Sequence, residues 1–297
     1  MENIQKKLKK NLINMQNFSN YLKKKIIIKD IFNIKEAEMY KNLFDTYISK
    51  SKPIKNKILP YGWHWLYFSD NFPVNEIGSD GHKKRGDFIP SFKGCKRMFA
   101  GSEIKFKKEI LFNDKATKVS QIKKIENKSK ENKIMYFVII NHIYKVMSKV
   151  VLEENQSLVF INQDFKSKKK ILLAKDKENL LLYKKNFSFN NIMLFKYSAI
   201  TYNSHRIHYD LNYAREEGYT DLLVHGPLLA TFSLDEFRKN IRYKLTTFKF
   251  NMLKPVLVNE KINLKISQNI KNKKEFKAII SCLKSKEIKF VATYLIR

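Results

Sequence analysis

Half of the six histidines in this chain, His205, His208 and His225, fall within residues 197–231. An imidazole with an ordinary pKa near 6.5 can take up and release a proton close to neutral pH. His225 is followed by Gly226 and Pro227, and then by apolar residues at helical spacing: Leu228, Leu229, Phe232, Leu234, Phe237 and Ile241. Proline suits the first turn of a helix, where a missing N–H costs nothing, so a helix is expected to start at this His-Gly-Pro triplet. The free N–H groups and the dipole of a helix N-terminus favour negative charge. Gly226, having no side chain, lets a carbonyl approach closely. The segment therefore holds the parts of a site that moves protons beside a developing oxyanion.

The residues in front of that turn read Tyr202-Asn203-Ser204-His205-Arg206-Ile207-His208. With His225-Gly226 downstream, they resemble the hydratase motif of the MaoC-like hotdog-fold enzymes. The likeness is to the branch containing type 2 hydroxyacyl-thioester dehydratases and mesaconyl-CoA hydratases, which writes the core as Asn-x-His-(Arg/Lys)-Ile-His. The first half of the chain is similar to the N-terminal dehydratase-like half of the same branch. That similarity lies in Gly62-Trp63-His64-Trp65-Leu66-Tyr67-Phe68, Gly78-Ser79-Asp80-Gly81-His82 and Lys96-Arg97-Met98-Phe99-Ala100-Gly101.

The resemblance covers residues 20–297 and implies an α+β double hotdog, two curved antiparallel sheets each wrapping a central helix. It divides the chain into a half without the catalytic motif (1–162), a linker (163–190) and a half carrying the motif (191–297). The activity implied is a hydro-lyase, adding water reversibly across a 2-enoyl thioester to give a 3-hydroxyacyl thioester. His208 matches the histidine that serves as base and acid. Asn203 stands where the broader family has a catalytic Asp; an amide does not ionise, so Asn203 is expected to orient the water rather than take its proton. Gly226 would offer its N–H to the enolate oxygen, and His225 would position the turn. His205 and Arg206 replace the family's Asn and Pro and become candidates to contact substrate. A guanidinium suits a carboxylate or phosphate, so Arg206, and after it Arg97, would hold a second carboxylate such as that of mesaconyl-CoA. Trp65 belongs to an aromatic cluster, Trp63 to Phe68, read either as core or as the acyl-pocket lining supplied by the silent half. Asp80 and His82 receive no chemistry.

Two further readings stand beside this one: a 3-hydroxyacyl-[acyl-carrier-protein] dehydratase of fatty-acid synthesis, and a hotdog protein that binds acyl thioesters without catalysis. No cofactor is expected, since neither Gly-x-Gly-x-x-Gly nor a P-loop occurs; coenzyme A or acyl carrier protein would be the substrate's carrier. Pairing into a homodimer is compatible with such a chain.

The formal net charge is +31, and strongly basic proteins often bind nucleic acid or anionic membranes. Here Lys outnumbers Arg 52 to 7 and the basic residues are scattered, a balance that fits codon bias in an AT-rich genome. No Arg-rich arm, zinc-finger spacing or RNA-binding aromatic signature accompanies them, so neither nucleic acid nor membrane is expected as a partner. A basic surface would attract the phosphates of coenzyme A or an acidic carrier protein. The two cysteines, Cys95 and Cys282, lack metal spacing. The N-terminal residues contain no apolar signal-peptide core; a cytoplasmic location is expected, with a mitochondrial one as the alternative.

The elements that must position the motif follow from periodicity. Helices are expected over 2–25, over 33–50 and after Gly226. Loops around short strands are expected over 53–101, where Gly, Pro and aromatics cluster. Strands are expected at 103–112, 119–125, 134–144 and 150–160, and again at 246–253, 261–270, 276–283 and 288–296. Ile110-Leu111-Phe112-Asn113-Asp114-Lys115 parallels Val256-Leu257-Val258-Asn259-Glu260-Lys261, a hint of internal duplication.

Overall fold

A computed structural model describes residues 18–44, 57–69, 71–130, 133–162 and 178–297. In chain order its elements are α1 (Ser19–Lys23), β1 (Lys25–Ile31), α2 (Ile34–Lys41), β2 (Lys96–Phe106), β3 (Lys115–Asn127), β4 (Met135–Val146), β5 (Lys149–Ile161) and β6 (Asn179–Phe187). Then come α3 (Asn191–Ile200), α4 (Leu211–Glu216), α5 (Gly226–Asn240), β7 (Leu245–Met252), β8 (Ile262–Asn269), β9 (Glu275–Cys282) and β10 (Ile288–Ile296). Short 3₁₀ turns occur at Trp63–Leu66, Val74–Glu76 and Arg206–His208. No helix among the described residues is long and apolar enough to cross a membrane.

The ten strands form one antiparallel sheet in the order β1-β3-β4-β5-β2-β7-β10-β9-β8-β6. The expectation of two separate sheets is thereby corrected: β2 pairs with β7, from Gly101↔Asn251 to Lys105↔Thr247, and joins five strands of each half into a continuous surface. Within the halves the order repeats, β1-β3-β4-β5-β2 against β6-β8-β9-β10-β7. The paired turns behave alike in detail. Leu111 N–H donates to Asp114 Oδ2 at 2.8 Å, and Leu257 N–H to Glu260 Oε2 at 3.0 Å. Asn113 and Asn259 both adopt positive φ, 71° and 60°, and their N–H groups donate to Phe32 O and Phe189 O. Each of those phenylalanines precedes an Asn that caps a helix through its side chain, Asn33 for α2 and Asn190 for α3.

At the junction Gly101 has φ of 149°, and a Cβ there would lie 2.1 Å from Phe250 O. The close approach of β7 therefore needs a residue without a side chain. This glycine sits beside a register shift between Phe99 and Gly101, inside a strand that runs through residues expected to be loop. In consequence β2 starts at Lys96, earlier than the expected 103, and the residues after Phe106 turn instead of extending. The expected helix over 2–25 falls largely outside the described residues; its described end is the single turn α1, followed by β1, where the run Ile26-Ile27-Ile28 favours extended backbone. The helix expected over 33–50 is α2, with 45–50 outside the described residues. Of the expected linker 163–190, the residues after 177 are described and hold β6, which pairs with β8 from Asn179↔Asn269 to Phe187↔Ile262.

The core gathers on α5. Ten consecutive residues, Leu228 to Phe237, are buried, so the helix is enclosed on all sides, including its carboxylates. Asp235 accepts from Trp63 Nε1 at 3.0 Å and Tyr40 OH at 3.3 Å, both in the first half. Its neighbour Glu236 pairs with Lys185 at 3.2 Å and accepts from Tyr183 OH, both on β6. A buried charge persists only when paired and hydrogen-bonded; here the first half supplies partners for Asp235, beside Arg238 of α5 itself at 3.2 Å, and β6 supplies those of Glu236. In the first half the segment that matches the start of α5 forms only the 3₁₀ turn Trp63–Leu66, and α2, the counterpart of α3, buries only Ala37 and Tyr40.

Candidate active site

The motif hangs from the end of α3. Tyr202 turns the chain with φ of 51°, and Asn203 N–H then donates to Ser198 O at 2.8 Å. The Asn203 Oδ1 accepts from His205 N–H at 3.0 Å, which fixes the amide at the mouth of the 3₁₀ turn carrying His208. A loop of the first half grips the motif from the other side. Ser204 Oγ donates to Gly81 O at 2.5 Å, and Arg206 N–H to Asp80 O at 3.1 Å. Gly81 has φ of 86°, and a Cβ there would lie 1.8 Å from Ser204 O, so only glycine allows this contact.

His208 is buried and its Nδ1 lies 2.8 Å from Leu223 O. A carbonyl oxygen only accepts, so Nδ1 carries the hydrogen and Nε2 keeps its lone pair. Burial pulls the His208 pKa down to about 4, against the opposing effect of the bond to Leu223 O. The ring is therefore a neutral base at neutral pH. It stacks on His225 with centroids 3.6 Å apart and planes 22° apart. His225 is fully buried, pairs through Nε2 with Ser198 Oγ at 2.8 Å, and its Nδ1 has no hydrogen-bond partner. Burial first, and then His208 and His205, hold its pKa well below the usual histidine range.

His205 touches His208 edge to face at 5.4 Å, and His82 of the first half lies 4.3 Å from His205. Both are held well below the ordinary value, chiefly by burial, with the positive charge of Arg97 adding to the effect. Four of the six histidines thus meet in one contact chain with Arg97 at its edge. His82, expected to carry no chemistry, is brought in by the Gly81 contact, which no local spacing could reveal.

His225 caps α5, and Gly226 is its first residue, with Pro227 in the first turn. A Cβ on Gly226 would fall 2.6 Å from Phe99 Cδ1 on β2. The N–H groups of this first turn have no acceptor within the helix, so the turn presents donors and a positive dipole end beside the histidines. The matching turn of the first half differs. Leu59 N–H donates to Ile110 O as Val224 N–H donates to Val256 O, which aligns Pro60 with His225 and Tyr61 with Gly226. A proline thus replaces the imidazole, and the Tyr61 ring, 4.5 Å from that of Phe106, stands where the second half has only a glycine.

The remaining expected residues are placed differently. Arg206 is engaged: it pairs with Asp210 at 2.7 Å, donates to Ser79 O at 3.0 Å and lies 4.4 Å over the Tyr213 ring. Trp65 donates from Nε1 to both oxygens of Glu154, at 3.1 and 3.2 Å, and meets Phe250 edge to face at 5.9 Å. Phe250 in turn packs against Phe99 at 5.8 Å, so Trp65 joins the site through an aromatic wall.

Known proteins share this fold. The structure resembles that of a MaoC-like dehydratase from Phytophthora capsici, with a TM-score of 0.69 at 11% identity over 95% of this chain and 98% of that one; the fold is of the hotdog, MaoC-like kind. The family model for hydroxyacyl-thioester dehydratase type 2 matches residues 62–258, and the chain belongs to that family. It is 32% identical over 207 residues to mesaconyl-C(4)-CoA hydratase of Chloroflexus aurantiacus, covering 69% of this chain and 73% of the relative. It is 24% identical over 274 residues to the mitochondrial hydroxyacyl-thioester dehydratase type 2 of Schizosaccharomyces pombe, covering 82% and 90%.

Proposed function

We propose that this protein is a hydro-lyase that interconverts 2-enoyl and 3-hydroxyacyl thioesters, on a double hotdog scaffold with one working site. The repeated strand order supports the double hotdog, and the replacement of His225 and Gly226 by Pro60 and Tyr61 supports a single site. The observation that carries the reading is His208: a buried, neutral imidazole whose Nδ1–H is spent on Leu223 O, leaving Nε2 as a base next to the N-terminus of α5.

In the hydration direction, Nε2 of His208 takes a proton from a water held by Asn203, and the oxygen adds to the β-carbon. The electron pair of the double bond moves onto the thioester oxygen, which the N–H groups at Gly226 receive. The imidazolium then returns its proton to the α-carbon, so one water is added overall. These steps are proton transfers and call for no redox partner. The neighbouring neutral imidazoles of His205 and His225 leave the transient charge on His208 without a second positive ring beside it.

The acyl carrier is coenzyme A, as in the name of the Chloroflexus relative, with acyl carrier protein as the second reading; the charge of +31 suits the phosphates of the one and the acidity of the other. The candidate cations for a second carboxylate are Arg206, which pairs with Asp210, and Arg97. We assign the protein to the cytoplasm, or to the mitochondrion like its Schizosaccharomyces relative, and it pairs as a homodimer or acts alone.

The test follows the enoyl-thioester ultraviolet absorbance as the protein meets crotonyl-CoA, a longer enoyl-CoA and mesaconyl-CoA in parallel, with His208→Ala as control. Absorbance that falls with the native protein and not with the variant is the expected result. A protein that turns over neither CoA nor carrier-protein esters, yet binds them, is an acyl-thioester-binding protein instead.

A further inference from the structure

Ser198, two residues before the end of α3, stands at a crossing of the site that the proposed steps do not use. It is buried, and a buried hydroxyl needs a partner. A helical Ser or Thr usually turns its hydroxyl back to the carbonyl four residues earlier, or out to water. Thr201, the C-cap of the same helix, does so and donates to Tyr197 O at 2.7 Å. Ser198 reaches across the chain instead: its Oγ lies 2.8 Å from His225 Nε2, 27 residues on. Its carbonyl accepts from Asn203 N–H at 2.8 Å. One residue thus holds the start of the motif through its backbone and the His-Gly turn through its side chain.

The first half offers an internal comparison. Phe32 and Phe189 accept from equivalent turns, and Asn33 and Asn190 cap equivalent helices. Counted from those caps, Tyr40 matches Tyr197 and Lys41 matches Ser198. Both tyrosines are buried, with rings 6.2 Å apart, so the two helices share a register. The half with Lys41 in place of Ser198 also has Pro60 in place of His225. Hydroxyl and imidazole are present together in one half and absent together from the other, as expected if the one serves the other.

The bond decides how the His225 ring sits. Its Nδ1 has no hydrogen-bond partner among the described residues, so the contact at Nε2 sets the rotation of the ring, a torsion that is otherwise broad. The face of that ring carries His208, with centroids 3.6 Å apart. Its backbone caps α5, and His225 O accepts from Leu229 N–H at 3.1 Å. A rotated ring would shift the surface on which His208 rests and loosen the residue from which Gly226 follows.

We infer, on the hydro-lyase reading, that Ser198 is a positioning residue for the reaction. Its hydroxyl locks His225, and through His225 it aligns the His208 base with the N–H of Gly226. It touches no reacting atom itself.

The experiment measures kcat and KM on an enoyl-CoA ester that the native protein turns over, for the native protein, Ser198→Ala, His225→Phe and the double variant, with thermal unfolding as a check that each folds. Alanine favours a helix more than serine does, so α3 itself tolerates the first change. Ser198→Ala should lower kcat by about 10- to 100-fold, as for a misaligned catalytic group, with KM altered by less than about threefold. Because the effect passes through His225, the double variant should be no slower than His225→Phe alone. A native-like kcat in Ser198→Ala, a rise in KM with kcat intact, or losses that multiply in the double variant would overturn the inference and leave the hydro-lyase reading standing. Should Ser198→Ala fail to fold, Ser198→Cys takes its place, since a thiol keeps the size and bonds only weakly, and the same outcomes decide. Absence of turnover on every ester, with His208→Ala indistinguishable from native, removes the reading and the inference together.

Discussion

Replacing His208 by Asn isolates what its burial costs. The Asn side-chain amide can donate to Leu223 O as Nδ1 does, but it takes up no proton between pH 7 and 4. In the folded protein His208 is held at about 4; in the unfolded chain it returns to about 6.5. The folded state therefore gains full benefit from a neutral His208 above pH 6.5. It loses that benefit as pH falls through the unfolded value and down to about 4, because only the unfolded chain accepts a proton in that window. At ~1.4 kcal/mol for each pH unit, the gap amounts to about 3 kcal/mol. His82, His205 and His225 are depressed too and add their own acid loss in both proteins, so the informative quantity is the difference between native and variant. Denaturant unfolding at pH 7 and at pH 4 measures it. The native protein should lose about 3 kcal/mol more than His208→Asn over this range. Equal losses would mean that His208 is protonated alike in both states, and its role as a buried neutral base would be refuted.

Two substitutions probe the rest of the machinery. Asn203→Ala should fold normally and lower kcat by roughly 10- to 100-fold, as expected for a misplaced nucleophile; an unchanged rate would show that Asn203 does not hold the water. Gly226→Ala places a methyl carbon 2.6 Å from Phe99 Cδ1, so the first turn of α5 or the ring must shift, and kcat/KM should fall by about 100-fold with a smaller effect on thermal stability. A native-like rate would mean that the thioester oxygen is held elsewhere.

The strands that bury one face were legible in the sequence. β3, β4, β5 and β7 to β10 all lie within a few residues of their expected positions, because alternation of apolar and polar residues reports a half-buried strand. The two sheet edges were not. β1 contains no buried residue and β6 only Phe187, so burial left little pattern there; β1 beyond Lys25 was assigned to no element, and β6 was read as linker. β2 was displaced because Gly101 looks like a turn signal when the partner strand is unknown. Within the site, the clustering of three histidines and the His225-Gly226-Pro227 turn were visible in the sequence, and their roles came from the family resemblance. His82, Phe99 and Ser198 were not, since each depends on a contact between residues far apart in the chain.

Adjacent acids on α5 are held by opposite halves, Asp235 by Trp63 and Tyr40, Glu236 by Tyr183 and Lys185. The helix that begins at the reactive turn is thus an axle seated in two bearings. The half that carries Pro60 where the other has His225 still anchors one end of that axle, so deleting it would strip Asp235 of its first-half partners, Trp63 and Tyr40, and unseat Gly226. On the proposed reading such a duplication is locked in: the half without the His-Gly turn serves as the permanent mount of the half that has it, and the two are expected to melt together as a single cooperative body.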